Sequence, residues 1–294
     1  MLKSTFLYAK REIPMVQNTH RQFFALILFC VFLLMGCGAK GPQTVIAAPV
    51  STAGEMVRYR LNSEGTYRLD IVSPDGDGHG SGVVISSEGH ILTVNHVVSH
   101  SGHLSIMIVE GAGAPKTYPV RVIGTDPLHD LAVVKVGRRF ANPAILEDVR
   151  NVHPGDEVYN IGYPFNYGEM VARGRIMRLH YSRPEDESDR KLPESRRTHV
   201  SDMILSDLLA GPGSSGSSVY LASSGKLIGV MRLLILQGGP TFGMMTRAIV
   251  PVNQVEAFLR LYRIPYVMSD GTVATYPSLP PAAPANPSPS QPRK

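Results

Sequence analysis

The stretch Gly211-Pro212-Gly213-Ser214-Ser215-Gly216-Ser217-Ser218-Val219 is a glycine-rich turn that leads into an apolar run. A serine hydroxyl is a weak nucleophile that needs a base and a place for the negative charge that develops on its target. Small residues around Ser215 let backbone amides turn inward, so the N–H groups of Gly213 and Ser215 are candidate donors to such an oxyanion. Taken alone, a flexible Gly/Ser loop explains the stretch better. Four serines close together also leave the nucleophile undecided by local chemistry.

A candidate base is His96, at the end of the apolar run Ile91-Leu92-Thr93-Val94 where the chain turns. His100 and His103 follow, and the first two histidines, at helical spacing, would share a face suited to a metal ion. Against a zinc hydrolase stands Val97, at the position where the His-Glu-x-x-His pattern needs its general base. A metal site therefore ranks well below the serine reading, and neither metal nor cofactor is expected. Asp130 immediately precedes the apolar run Leu131 to Val136, where a half-buried carboxylate could orient a histidine through Nδ1–H. Asp126, before Pro127, reads instead as a turn-capping aspartate.

The elements that must position these groups are short. Runs such as Gly82 to Ile85, Ile91 to Val94, Leu104 to Val109, Val120 to Ile123, Leu131 to Val136, Val158 to Gly162 and Leu227 to Leu234 are punctuated by Gly, Pro, Asn and Asp. This spacing predicts an all-β barrel or sandwich with the candidate residues on its loops. Two helical regions are predicted: a turn after His96, and 252–262, where Val252, Val255, Phe258, Leu259 and Tyr262 share one face after Pro251. The charged stretch Arg183 to His199 reads as an exposed loop.

With 294 residues, 43% of them hydrophobic, the chain can bury one sizeable core or two small barrels sharing a cleft. Of its net charge of +5, +3 sits in the leader (Lys3, Lys10, Arg11 and Arg21 against Glu12), which leaves too little elsewhere to suggest nucleic-acid binding. Both cysteines, Cys30 and Cys37, lie in or at the end of that leader, so the remainder has no disulfide and no thiol chemistry. The apolar run Phe23 to Met35 follows basic residues and ends at Gly36-Cys37, the layout of a signal peptide; a full bilayer crossing wants about 20 apolar residues. Leu34-Met35-Gly36-Cys37 resembles a bacterial lipobox, which makes Cys37 a candidate lipid attachment site, and an uncleaved signal anchor is the alternative. Either places the rest of the chain outside the cytoplasm, at a bacterial cell envelope, facing the periplasm or the exterior.

Asn95-His96-Val97-Val98, Asp126-Pro127-x-x-Asp130-Leu131-Ala132-Val133 and the stretch Asp207 to Val219, in this order, resemble the HtrA/Deg branch of the chymotrypsin-like serine proteases. Gly155-Asp156-Glu157-Val158, Ile161-Gly162-Tyr163-Pro164-Phe165, Gly174-Arg175-Ile176, Leu227-Ile228-Gly229-Val230 and the run from Met245 to Phe258 extend the resemblance over about residues 55–262. It implies two six-stranded antiparallel β-barrels with a C-terminal helix, His96 as base and acid, Asp130 as its orienting carboxylate, Ser215 as nucleophile, and the Gly213 and Ser215 N–H groups as oxyanion hole. It further implies that Leu209 lies near the base of the specificity pocket, which with no carboxylate there predicts preference for small or medium apolar side chains over Lys or Arg. Val230, Met231 and Arg232 would pair with the substrate backbone as an added strand. The loop Arg183 to His199 would switch the site between inactive and active forms.

Two departures stand out: Ser214 replaces the Asn or Asp usual before the nucleophile, and Ser217-Ser218 stands where the family often has Gly-Pro. The expected organisation is a leader over 1–37, a linker over 38–55, a protease domain over 56–265 (first barrel 56–150, second barrel and helix 151–265) and a disordered Pro-rich tail over 266–294, with no peptide-binding PDZ domain. The expected function is endoproteolysis of exported or misfolded polypeptides, with a possible homo-oligomer. A catalytically silent relative that binds peptides or partners through the same cleft is the alternative.

Overall fold

The computed structural model describes residues 53–72, 77–99, 102–108, 114–183, 200–237 and 244–276. The leader with Cys37, His100, nearly all of the charged stretch ending at His199, and the chain beyond 276 lie outside the described residues. Among the described residues no helix is long and apolar enough to cross a membrane.

Six strands close the first barrel. They are β1 (Thr66–Val72), β2 (Gly78–Val84), β3 (His90–Thr93), β4 (His103–Ile108), β5 (Lys116–Asp126) and β6 (Leu131–Val136), in the spatial order β1-β2-β3-β6-β5-β4. All pairings are antiparallel. Alternation along β4 sends Leu104, Ile106 and Ile108 inward, where they meet Leu69, Val83, Ile91, Leu92 and Val133. A closed barrel leaves no edge strand with unpaired backbone groups.

The short β7 (Ile145–Leu146) leads to the second barrel, whose six strands are β8 (Glu157–Gly162), β9 (Met170–Arg183), β10 (Val200–Ser206), β11 (Ser218–Leu221), β12 (Leu227–Gln237) and β13 (Met244–Pro251). They run β11-β8-β9-β10-β13-β12, and β12 pairs back onto β11 to close the ring. The expected pair of six-stranded antiparallel barrels is therefore the fold. Two short helices in the right places accompany it: α2 (Asn95–Val98) carries His96, and α3 (Val252–Leu261) buries Val252, Val255, Phe258 and Leu259. Just past α3, the Tyr262 hydroxyl donates to the Thr125 carbonyl at 2.9 Å, fastening the closing segment to the first barrel.

Two features differ from the sequence reading. A helix, α1 (Ala53–Ser63), covers part of the expected linker although none of its residues is fully buried. It is held by tertiary bonds: Arg58 to the Ala222 carbonyl at 3.2 Å, Asn62 Nδ2 to the Tyr159 hydroxyl at 2.7 Å and to the Gly225 carbonyl at 2.8 Å, and the Tyr59 ring edge-on to Tyr159. The fold also runs past residue 265, into the expected tail: β14 (Tyr266–Met268) pairs in parallel with β7 and antiparallel with β15 (Val273–Ala274), and Tyr266 is buried.

The barrels meet through hydroxyls and backbone. Thr66 and Ser218 hydroxyls lie 2.9 Å apart, and Ser81, on β2, donates N–H to the Ser215 carbonyl (2.8 Å) and Oγ–H to the Gly213 carbonyl (2.8 Å). The turn that carries Ser215 is thus tied directly to the barrel that carries His96.

Candidate active site

His96, Asp130 and Ser215, separated by up to 119 positions, converge at the seam between the barrels. Asp130 sits at the start of β6 with φ +59, a left-handed conformation that Asp and Asn tolerate better than most residues. Its carbonyl accepts the Asn95 N–H at 3.1 Å, and its Oδ1 accepts the His96 N–H at 2.9 Å, so the carboxylate fixes the backbone of α2 as well as the imidazole. Its Oδ2 lies 2.8 Å from His96 Nδ1 and 3.2 Å from Arg232 Nε. A carboxylate only accepts, so Nδ1 carries the proton and Nε2 is left with a lone pair. The Ser215 hydroxyl donates to Nε2 at 2.8 Å. Both ring nitrogens of His96 are thereby committed, which leaves no lone pair for a metal in this arrangement.

The tertiary structure distinguishes the four serines. Ser214, Ser217 and Ser218 are buried, and their hydroxyls serve the turn: Ser214 Oγ accepts the Gly211 N–H at 3.1 Å, Ser217 Oγ–H donates to the Ser214 carbonyl at 2.5 Å, and Ser218 faces Thr66. The unusual Ser214 thus closes the loop with a side-chain hydrogen bond. Ser215 is the half-exposed one, and of the four it alone reaches the imidazole.

Gly213 has φ +94, and a Cβ there would lie 2.2 Å from His79 Nε2 and 2.5 Å from the Tyr163 carbonyl. The N–H groups of Gly213 and Ser215 donate to no acceptor among the described residues, while the neighbouring Ser214 and Gly216 amides are bonded to the Gly211 and Met231 carbonyls. Two unspent donors thus adjoin the hydroxyl, as an oxyanion hole requires. Gly213→Ala keeps its N–H, but the Cβ has no room at φ +94, so the amide is expected to be displaced and kcat to fall on the order of a hundred- to a thousandfold, as when one such donor is lost, with a smaller effect on KM. Steady-state kinetics on a chromogenic peptide would check it; a change confined to KM would speak against a role in charge stabilisation.

Of the remaining expected site residues, Met231 and Arg232 line the hollow beside Ser215, and Leu209 and Val230 do not. Leu209 is 72% exposed and, with Phe165, Tyr167 and Met170, lines a surface hollow other than the one beside Ser215. The hollow of about 260 Å3 that does adjoin Ser215 is walled by Ala210, Gly211, Pro212, Met231, Arg232 and Arg247. Val230 and Met231 offer no free edge for an added strand. Val230 is paired with Ser218 and Val250, and the Met231 N–H and carbonyl are bonded to the Ser217 carbonyl and the Gly216 N–H. The reason is topological, since β12 is flanked by β11 and β13 over these residues. Arg232 stands at a bulge between Met231 and Leu233, which frees its side chain to reach Asp130. The resemblance named Arg232 only for backbone pairing with substrate, and its bond to Asp130 was not foreseen; Arg247 was not named at all, and an arginine inside an apolar strand was the one signal for either.

Two closed β-barrels with a histidine, a carboxylate and a serine joined across their seam define the class of chymotrypsin-like peptidase folds. The family of trypsin-like peptidase domains matches residues 80–230, and the chain belongs to it. It is 27% identical over 194 residues to serine endoprotease DegS of Haemophilus influenzae, covering 66% of this chain and 51% of that one. It is 28% identical over 178 residues to a probable periplasmic serine endoprotease, DegP-like, of Pseudomonas putida, covering 58% and 34%. The chain thus spans between a third and about half of the length of these relatives. Among solved structures, the HtrA-type protease AlgW with tripeptide superposes with a TM-score of 0.57 at 23% identity, covering 71% of this chain and 63% of that one, a likeness of fold.

Proposed function

We propose that this chain is a serine endopeptidase of the bacterial cell envelope that cleaves exported or misfolded polypeptides. The unbroken line of hydrogen bonds from Asp130 through His96 to Ser215 carries the reading. In the proposed reaction Ser215 Oγ attacks the scissile carbonyl as its proton passes to His96 Nε2. Asp130 stabilises the resulting imidazolium, and the Gly213 and Ser215 amides receive the oxyanion. His96 then returns the proton to the leaving amine, and a water repeats the sequence to release the acyl group. The names of the relatives support both the chemistry and the periplasmic setting. The lipobox-like Leu34 to Cys37 supports attachment through a lipidated Cys37, or through an uncleaved leader.

The test is a fluorophosphonate probe applied to cells expressing the full chain. The expected result is labelling at Ser215, located by mass spectrometry, absent in Ser215→Ala, in a protein that sediments with membranes and is released by Cys37→Ser. Failure of a folded protein to label would favour a silent, peptide-binding relative. Membrane retention in Cys37→Ser would favour the uncleaved anchor.

A further inference from the structure

Two arginines wall the hollow beside Ser215, and their situations differ. Arg232, with 2% of its surface exposed, has Asp130 as a matched counter-charge. Arg247, on β13, is 5% exposed and lies on the same hollow. Its Nη2–H donates to the Ala210 carbonyl at 2.6 Å, whereas its buried Nε and Nη1 have no hydrogen-bond partner among the described residues. Burial alone shifts its pKa, downward, with no carboxylate offsetting it. A guanidinium nevertheless keeps its proton in a protein. A buried cation with two unused donors is costly unless an anion completes it, and this one lines the same hollow as Ser215.

We infer that this hollow is a specificity pocket for an acidic side chain, Asp or Glu, on the residue whose carbonyl Ser215 attacks, with Arg247 as its counter-ion. The inference rests on the peptidase reading and names its substrate class. It replaces the apolar preference drawn from Leu209, which does not reach the pocket. A carboxylate entering beside Ser214 and Ser215 comes against the wall formed by Arg247, where a small side-chain movement would bring it to the unpaired Nε–H and Nη1–H. Charge-assisted hydrogen bonds from a fork-shaped guanidinium suit a carboxylate's two oxygens. A substrate Lys or Arg would meet like charge from both Arg247 and Arg232 and is rejected.

The decisive comparison needs no turnover. Full-length Ser215→Ala protein is titrated calorimetrically with acetyl-Ala-Ala-Pro-Glu-amide and with its Gln counterpart, which is nearly equal in size but uncharged. Binding tighter by on the order of tenfold or more is expected for Glu, falling with added salt and lost when Arg247→Gln is introduced as well. Equal binding, or a Glu advantage that survives Arg247→Gln, overturns the inference. If the Arg247→Gln protein does not fold, the Glu-to-Gln ratio with Arg247 in place decides alone. Failure here can be told from failure of the peptidase reading. Fluorophosphonate labelling of Ser215 with no preference for Glu removes only the acidic pocket. A Glu preference without labelling keeps the pocket and removes the catalysis.

Discussion

Ser215→Ala is expected to lower turnover on the order of a millionfold, and His96→Ala by a similar factor, with the double variant no worse than either alone. The non-additivity is the sharper half of the prediction. Oγ and Nε2 form one working unit, joined at 2.8 Å, so removing either member disables the other. The hydroxyl of Ser215 is half-exposed, and the bonds that hold its turn come from Ser81, Ser214, Ser217 and the Met231 backbone. Loss of Oγ should therefore change stability by no more than about 0.5 kcal/mol. Cleavage of an unfolded protein substrate, read beside a thermal melt, checks both. Retained activity in a folded Ser215→Ala protein would exclude this serine as nucleophile.

Asp130→Asn is expected to lower kcat on the order of ten-thousandfold while leaving the backbone in place. Asn fits the left-handed conformation at φ +59 and has nearly the same shape. The chemistry does not survive the exchange. Three donors converge on the carboxylate: the His96 N–H, His96 Nδ1–H and Arg232 Nε–H. An amide has only one acceptor oxygen. If that oxygen stays with the His96 backbone, the NH2 faces Nδ1 and favours the tautomer that carries its proton on Nε2, which cannot take the proton of Ser215. Arg232, with its side chain 1% exposed, also loses its counter-charge, and breaking a buried pair by removing one partner costs about 3–5 kcal/mol. Both consequences are measurable, and activity must be expressed per folded molecule. A loss of stability with kcat intact would make Asp130 a purely structural anchor for α2 and Arg232.

Much of the fold was legible because barrel strands advertise themselves locally. The runs around Ile91, Leu104, Leu131, Val158 and Leu227 all became strands, and the apolar face from Val252 to Leu259 became α3. The motifs holding His96, Asp130 and Ser215 kept their order along the chain, and that order identified the family before any geometry. What resisted reading depends on contacts between distant segments. Helix α1 leaves its apolar Met56, Val57 and Leu61 exposed, and partners such as Tyr159, Ala222 and Gly225, roughly a hundred or more positions away, hold it. β14 lies in the expected tail because β7 offers it an edge more than a hundred residues upstream.

The sequence by itself determined the class of protein and the two-barrel frame and named candidates for the chemistry, because periodicity and motif order are properties of neighbouring residues. Only the tertiary structure decided that Ser215, rather than Ser214, Ser217 or Ser218, meets the imidazole. It also turned Leu209 away from the pocket, and brought Arg232 to Asp130 and Arg247 to the hollow beside the nucleophile. Those outcomes follow from closing two sheets against each other. Closure fixes which face of each strand is interior, where a bulge frees a side chain, and which buried charge finds a partner.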